Sequence, residues 1–282
     1  MLSQQTAQRT TDANSSTLKL RLFGTFEVLL NGQPLPDLRL RSGARLPAFL
    51  ALHPDQPLRA TWLAQTFWAE QAITDGEIEK ALASLRQSVH QLRQTLAGDG
   101  CRIEATNRAV MFRTEGIFVD AIAIDQAIGQ ATEQCEKQIN EQINEQINEN
   151  DNGGRSALER AVALYRGPLL QGWDENWVAK IREMYRDLLV DALQKLAALA
   201  TAERNYTAAA RHLRRLLIEM PKHETAWRQL IQALAAGGKR LEAMTVYLRY
   251  RDYLYKRGGL APPSEMTALY NRLQERPAHV VA

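Results

Sequence analysis

The chain has 282 residues, of which 45% are hydrophobic and 24% charged, a balance that is typical of globular proteins and leaves room for two domains. No run of about 18 apolar residues occurs, which argues against a transmembrane helix. Residues 1–17 are polar and lack the apolar core of a signal peptide, so we expect a cytoplasmic protein with no membrane contact. Cys101 and Cys135 are the only cysteines and predict neither a disulfide framework nor a zinc site.

The net charge of +3 is distributed unevenly along the chain. The net charge is +1 over residues 18–120, −6 over residues 121–154 and +8 over residues 155–282. A basic C-terminal half is typical of a protein with a polyanionic partner such as nucleic acid. Solvated faces of ordinary helices would give the same total, so charge alone does not choose between these interpretations.

Residues 18–120 are predicted to form one domain that begins with short strands. Leucine alternates with charged residues from Leu18, a second strand starts near Phe26, and a third ends at Pro36. Asn31-Gly32 is a strong hairpin signal between the last two strands. After three helices, two further strands at residues 101–105 and 109–113 are joined by Thr106-Asn107-Arg108. The predicted order is therefore β-β-β-α-α-α-β-β.

The three helices are predicted at residues 42–52, 60–69 and 79–97. In the first, we expect the regular helix to begin near Leu46, because Pro47 is tolerated at a first helical position. The third has the clearest pattern, a 3-4-3-4 apolar stripe of Leu82, Leu85, Val89, Leu92 and Leu96.

Three helices followed by a hairpin are typical of a winged helix-turn-helix, whose third helix enters the DNA major groove. Glutamine amides can bind base edges, and basic side chains can bind bases or phosphates. The alternative is an ordinary solvated helix face. The candidate DNA-binding residues lie opposite or beside the apolar stripe and at the tip of the wing: Lys80, Arg86, Gln87, His90, Gln91, Arg93, Asn107 and Arg108.

Residues 121–154 are predicted to be an acidic, low-complexity linker. A tandem QINE repeat is followed by Asp151-Asn152-Gly153-Gly154, a composition that is poorly suited to a packed core. Ile139, Ile143 and Ile147 also leave open a short amphipathic helix or coiled coil in this segment.

Residues 155–276 are predicted to be all helical and tetratricopeptide-like, with a short tail at residues 277–282. A shift of 34 residues, the tetratricopeptide period, aligns apolar positions such as Leu196 with Leu230 and Ala209 with Ala243. Aromatic residues such as Trp227 and Tyr247 occupy repeat packing positions, whereas Tyr253 and Tyr255 are better candidates for a surface contact. A groove for a ligand or peptide lined by these aromatics is the alternative. The fold class is thus mainly α with a small β content.

The segments LRLFGTFEVLLNGQPL and LRQSVHQLRQTL resemble the OmpR/PhoB-type winged helix of the SARP/AfsR family of bacterial transcriptional regulators. ALYRGPLLQGW, the stretch from Asn205 to Leu234 and GLAPPSEMTALYNRL resemble the bacterial transcriptional activator domain that accompanies it. The resemblance covers residues 18–273, and it implies a sequence-specific regulator, expected to be an activator, that binds double-stranded promoter DNA. It also implies protomer and RNA polymerase contacts by the helical domain, and leaves open a homodimer on direct repeats.

The sequence offers no pattern for catalysis, so we expect no catalytic residue, bound metal or cofactor. The five histidines lack a metal-binding spacing such as HExxH, and GxSxG does not occur. Gly237-Gly238-Lys239 departs from a Walker A loop, which needs glycine at Ala233 and Ser or Thr at Arg240. The remaining alternative to a DNA-binding regulator is a protein-interaction adaptor that uses both domains as protein-binding surfaces.

Overall fold

The computed structural model describes residues 18–35, 41–68, 75–96, 102–143 and 153–275. Both predicted tails, residues 1–17 and 277–282, lie outside these ranges, as does Cys101. None of the described helices is long and apolar enough to cross a bilayer. The strands and helices are, in chain order, β1 (Leu18–Arg21), β2 (Glu27–Leu30), β3 (Gln33–Pro34), α1 (Arg41–Ala51), β4 (Leu58–Arg59), α2 (Ala60–Trp68), α3 (Asp75–Thr95), β5 (Ile103–Ala105), β6 (Ala109–Phe112), β7 (Phe118–Val119), α4 (Asp120–Ile143), α5 (Gly153–Leu164), α6 (Asn176–Ala202), α7 (Tyr206–Glu219), α8 (Glu224–Ala236), α9 (Arg240–Gly258) and α10 (Ser264–Glu275).

The chain divides into two compact units between residues 122 and 123. The first unit contains two small sheets, with strand orders β3-β2-β1-β7 and β4-β6-β5. Asn31 and Gly32 both have positive φ, 52° and 78°, at the turn between β2 and β3, which is the backbone conformation that the predicted hairpin turn requires. The predicted wing is also confirmed, since β5 and β6 pair antiparallel with Ile103 opposite Phe112.

Two strands of the first unit were not predicted. β4 pairs antiparallel with β6, so the wing sheet has a third strand just before α2. β7 pairs parallel with β1, which joins chain segments about a hundred residues apart. Each strand has only two residues, too few to show a period-2 pattern in the sequence.

The core of the first unit lies where the helices meet the two sheets. Leu20 of β1, Leu50 of α1, Leu92 of α3 and Phe112 of β6 surround one small apolar cavity, and all four are buried. The predicted start of the first helix near Leu46 is wrong, because α1 begins at Arg41 and encloses Pro47. An internal proline removes one backbone hydrogen bond, and burial of the apolar residues that flank it offsets that cost.

A buried carboxylate connects the start of α4 to the end of β1. Asp120 is 1% exposed, and its two carboxylate oxygens accept backbone N–H bonds from Leu22 at 2.8 and 2.9 Å and from Phe23 at 3.1 Å. The predicted alternation fails here, since Leu22 and Phe23 are both buried. A buried charge is tolerated only when it is well hydrogen-bonded, and these bonds hold the start of α4 against the residues that follow β1.

The N-terminal part of the predicted linker is helical. α4 extends to Ile143, and Ile124, Ala127 and Ala131 on it are buried. In the second unit, the Tyr185 hydroxyl of α6 donates to Asp125 of α4 at 2.9 Å. Burial raises the pKa of Asp125, while this hydrogen bond acts in the opposite direction. The buried residues of α4 precede the low-complexity QINE repeat in the sequence. Residues 144–152, which contain the end of this repeat, lie outside the described residues.

The second unit is built of helices with the predicted 34-residue spacing. The helix starts at Tyr206 of α7 and Arg240 of α9 are 34 residues apart, and each of the helices α6, α7, α8 and α9 packs against the next one along the chain. The aligned pairs Leu196 and Leu230, and Ala209 and Ala243, are all buried, with exposed fractions of 2% or less. Helix α5 precedes these four helices and packs against α6.

The aromatic residues of this unit pack mostly against one another. Trp227 is half-buried, its ring stacks on Tyr250 at 5.2 Å, and its Nε1 donates to the Pro221 carbonyl at 2.8 Å. Tyr253 also packs near Trp227, with 6.3 Å between ring centroids, and the guanidinium carbon of Arg257 lies over the Tyr253 ring at 5.1 Å from its centroid. Tyr255, in contrast, is 73% exposed. Of the two tyrosines predicted to be candidates for a surface contact, Tyr255 is exposed, whereas Tyr253 packs near Trp227.

Candidate nucleic-acid interface

Helix α3 has one buried stripe and one exposed polar face. Ala81, Leu85, Val89 and Leu92 are buried against the rest of the unit, while Leu82 of the predicted stripe is only half-buried. The helix begins at Asp75, four residues earlier than predicted, and acidic side chains in its first turn interact favourably with the N-terminal dipole. The burial of this stripe fixes which side chains face outward.

The outward face contains the predicted DNA-binding residues of this helix. Lys80, Gln87 and Gln91 lie along one side of it and Arg86 and His90 along the other, and all five are exposed. At 1.5 Å per residue, Lys80 and Gln91 are about 16 Å apart along the helix axis, and the major groove of B-DNA is wide enough to admit an α-helix. The face therefore offers amide groups for base edges with basic groups at its margins.

The wing hairpin presents its tip to solvent. Thr106 stabilises the turn, because its Oγ1 accepts the backbone N–H groups of Arg108 at 3.3 Å and Ala109 at 3.1 Å. Asn107 and Arg108 are exposed at this tip. A short turn held by its own side chain presents these two residues in a defined position.

Arg93 has a role that its position in the sequence did not indicate. Its guanidinium donates from Nε and Nη2 to the backbone carbonyl of Ile103, at 2.9 and 2.5 Å. These bonds join the C-terminal part of α3 to the first strand of the wing. Two of the guanidinium donors are therefore engaged within the protein, and Arg93 positions the wing relative to the helix.

A second backbone contact holds the wing tip against the start of α2. The N–H of Ala60 donates to the carbonyl of Arg108 at 2.8 Å, and Arg59 pairs with Ala109 in the β4–β6 ladder. Arg59 is exposed beside the tip. Arg59 is not among the residues predicted from the sequence, where its signal is a basic residue directly before a predicted helix.

The basic residues of this surface differ in their availability. Within the described part of the chain, Lys80, Arg86 and Arg108 form no ion pair. Arg113, at the outer end of β6, forms an ion pair with Glu104 at 2.8 Å, and this hydrogen bond raises the pKa of Arg113. Positive charge is thus available at the margin of α3 and at the wing tip, and it is neutralised at the outer edge of the wing.

Clusters of at least three His, Cys, Asp or Glu side chains that could hold a metal ion do not occur among the described residues.

A winged helix-turn-helix unit followed by a unit of helical repeats is an architecture of transcription regulators. The family described as bacterial transcriptional activator domain matches residues 132–274, half of the chain, and the chain belongs to this family. The match begins within α4 and ends within α10. The resemblance to SARP-type bacterial transcriptional regulators is therefore confirmed.

The fold as a whole is similar to that of a solved regulator structure. A structure described as Mycobacterium tuberculosis EmbR in complex with low affinity phosphopeptide aligns with a TM-score of 0.66 at 21% sequence identity. The alignment covers 93% of this chain and 66% of the EmbR chain, so this chain spans less than two thirds of that protein. No curated protein matches the chain. The fold class predicted from the sequence, a winged helix followed by helical repeats, is confirmed.

Proposed function

We propose that the protein is a cytoplasmic, sequence-specific DNA-binding regulator of transcription, without enzymatic activity, that acts as an activator. In this proposal α3 lies in the major groove of double-stranded promoter DNA and the wing contacts the adjacent backbone. The helical unit contacts a second protomer on direct repeats and RNA polymerase, as expected for its family.

The observation that supports this proposal best is the exposed face of α3 beside a wing that is held in place. Gln87 and Gln91 project from the side opposite Leu85 and Val89, where each amide has a donor and an acceptor for a base edge. The Arg93 bonds to Ile103 fix the wing relative to this helix. A wing that is fixed relative to α3 can contact the phosphate backbone while α3 contacts base edges of the same duplex. The phosphate contacts position the protein, and the base contacts specify the sequence.

Selection of bound duplexes from a random pool, followed by binding measurements on the enriched sequence and a scrambled copy, tests the proposal. We expect the enriched duplex to bind at least about a thousandfold more tightly than the scrambled one, the lower end for specific regulators. Equal affinity for the two duplexes, or no enrichment at all, would contradict sequence-specific binding and favour the protein-interaction adaptor.

A further inference from the structure

Helix α7 of the helical unit has an arginine-rich outer face that borders an open groove. Its residues Ala209, Leu213, Leu216 and Leu217 are buried in the repeat core. The opposite wall of the groove is the chain that follows α5, at residues 165–167. The groove is lined by Tyr165, Arg166, Gly167 and, from α7, Arg211, Arg214, Arg215, Ile218 and Glu219.

Two of the arginines connect α7 to neighbouring parts of the helical unit. Arg215 donates from Nη2 to the Tyr165 carbonyl at 2.5 Å, which connects α7 to the chain after α5. Arg214 forms an ion pair with Glu242 of α9 at 2.6 Å. These contacts span three parts of the helical unit, so the groove is a defined feature of the packed unit.

Arg211 supplies charge that is not used within the unit. It is exposed, and it has no ion-pair partner or hydrogen bond among the described residues. The charge of Arg211 also affects the buried residue next to it. Burial lowers the pKa of His212, and the nearby positive charge of Arg211 lowers it further. A guanidinium in this setting can pair with a carboxylate through two parallel hydrogen bonds.

The groove also has an apolar part, which distinguishes it from a surface for nucleic acid. Ile218 lies about two turns beyond Arg211 on the same face of α7, and it is 76% exposed. Glu219, the last residue of α7, also lines the groove, whereas a nucleic-acid backbone is bound mainly by basic and polar groups. Protein interfaces, in contrast, combine arginine with apolar side chains at their centre.

We propose that this groove, between α7 and residues 165–167, binds an acidic protein segment whose carboxylates pair with Arg211 and whose apolar side chain covers Ile218. The partner is a separate polypeptide, and the inference extends the proposed protein-contact role of the helical unit. It does not depend on DNA binding by α3. Because the contact is mainly electrostatic, its affinity should fall as the salt concentration rises.

Fluorescence anisotropy with the full chain and a labelled model peptide tests this inference. The probe alternates pairs of glutamate with single leucines, and a matched probe replaces each glutamate by lysine. We expect binding of the acidic probe only, and a loss of affinity of about tenfold for Arg211→Glu, because like charges across an interface are costly. Ile218→Ser should weaken binding by about tenfold as well, since it removes the apolar contact that a leucine of the bound peptide would cover.

Two variants outside the groove serve as matched controls. Arg249→Glu reverses an exposed arginine of α9 that has no ion-pair partner among the described residues, and Leu260→Ser removes a leucine that is 59% exposed. Both should bind the acidic probe as the unaltered chain does, and all four variants should keep its thermal stability and its affinity for DNA. No binding of the acidic probe, equal losses in groove and control variants, or displacement of the probe by duplex DNA with the same variant sensitivity would each overturn the inference. Failure of the peptide assay with normal DNA binding would leave the DNA-binding proposal in place.

Discussion

The guanidinium of Arg93 donates to the carbonyl of Ile103 from both Nε and Nη2, at 2.9 and 2.5 Å, and so joins helix α3 to the wing. A charged donor bonded to a backbone carbonyl stabilises more strongly than a neutral pair. These two bonds make Arg93 a positioning residue. The contribution of its hydrogen bonds can therefore be tested separately from that of its positive charge.

Arg93→Lys tests that separation, because lysine keeps the charge and lacks the planar fork. We expect the free energy of unfolding of the first unit to fall by about 1–3 kcal/mol, as for loss of a charged hydrogen bond. Affinity for all duplexes should fall with it, because the wing loses its fixed position. Chemical denaturation and anisotropy measure the two effects. Full retention of DNA affinity in the lysine variant would show instead that Arg93 acts through its charge on phosphate.

Lys80, Arg86 and Arg108 are the basic residues expected to contact phosphates. Replacing any one of them by alanine should reduce the log–log salt slope of DNA binding by about 0.9, the contribution of one phosphate contact. Arg113→Ala is the matched control, since Arg113 forms an ion pair with Glu104. Titrations at several salt concentrations give the slopes. Unchanged slopes in all three variants would place the phosphate contacts elsewhere.

The pH dependence of stability is expected to report on His212 in α7. His212 is 7% exposed, and its pKa lies below the usual 6.5. Burial is the largest cause, followed by the positive charge of Arg211. Glu159 raises the pKa of His212, whereas Arg155 and Arg215 lower it further. Between the lowered value and 6.5 the unfolded chain binds more protons than the folded one. The free energy of unfolding should therefore fall as the pH decreases through this window.

His212→Gln removes the titrating group and should flatten this dependence. Denaturation of both proteins at a series of pH values between neutral and mildly acidic conditions makes the comparison. If the free energy of unfolding of the variant decreases as steeply as that of the unaltered chain when the pH is lowered, groups other than His212 cause the effect.

Trp227 of α8 packs against Tyr250 of α9 and is expected to be important for the stability of the second unit. Trp227→Ala removes the stacking on Tyr250 and the Nε1 bond to Pro221, and it should cost about 3 kcal/mol, the lower end for tryptophan because the side chain is half-buried. Trp227→Phe keeps the ring contact and should cost less. Thermal unfolding measures both.

We also predict that residues 18–120 and residues 155–276, the two domains expected from the sequence, fold independently, with residues 123–143 of α4 belonging to the second compact unit. Limited proteolysis of the unaltered chain should first cut between residues 138 and 154 and leave two resistant fragments. The Trp227→Ala chain should retain the N-terminal fragment. A first cut within residues 188–254 of the unaltered chain would contradict the prediction of two domains.

The long helices and the helical repeats could be predicted because their signals are local and periodic. Leu85, Val89 and Leu92 define the buried side of α3, and the 34-residue register places Leu196 and Leu230 in equivalent buried positions. Both patterns depend only on spacing along one element or between two copies of it.

The contacts that position these elements could not be predicted in the same way. The Asp120 carboxylate binds backbone groups about a hundred residues away, and in the sequence it is indistinguishable from any acidic residue at a helix start. Arg93 lies at the edge of a polar face, where charge and spacing suit a phosphate contact as well as a bond to a carbonyl. Distant pairings such as that of β7 with β1 depend on tertiary packing, which leaves no periodic signal in two residues.

The most direct test of sequence recognition by α3 is the affinity of Gln87→Ala and Gln91→Ala for the preferred duplex and for a scrambled one, measured by anisotropy. Each substitution should cost about 1–3 kcal/mol on the preferred duplex and leave binding to the scrambled duplex unchanged, because an amide that binds a base edge contributes only where that base is present. Gln232→Ala, on a helix of the other unit, is the control and should alter neither affinity. Equal losses on both duplexes, or no loss on either, would contradict base recognition by this helix.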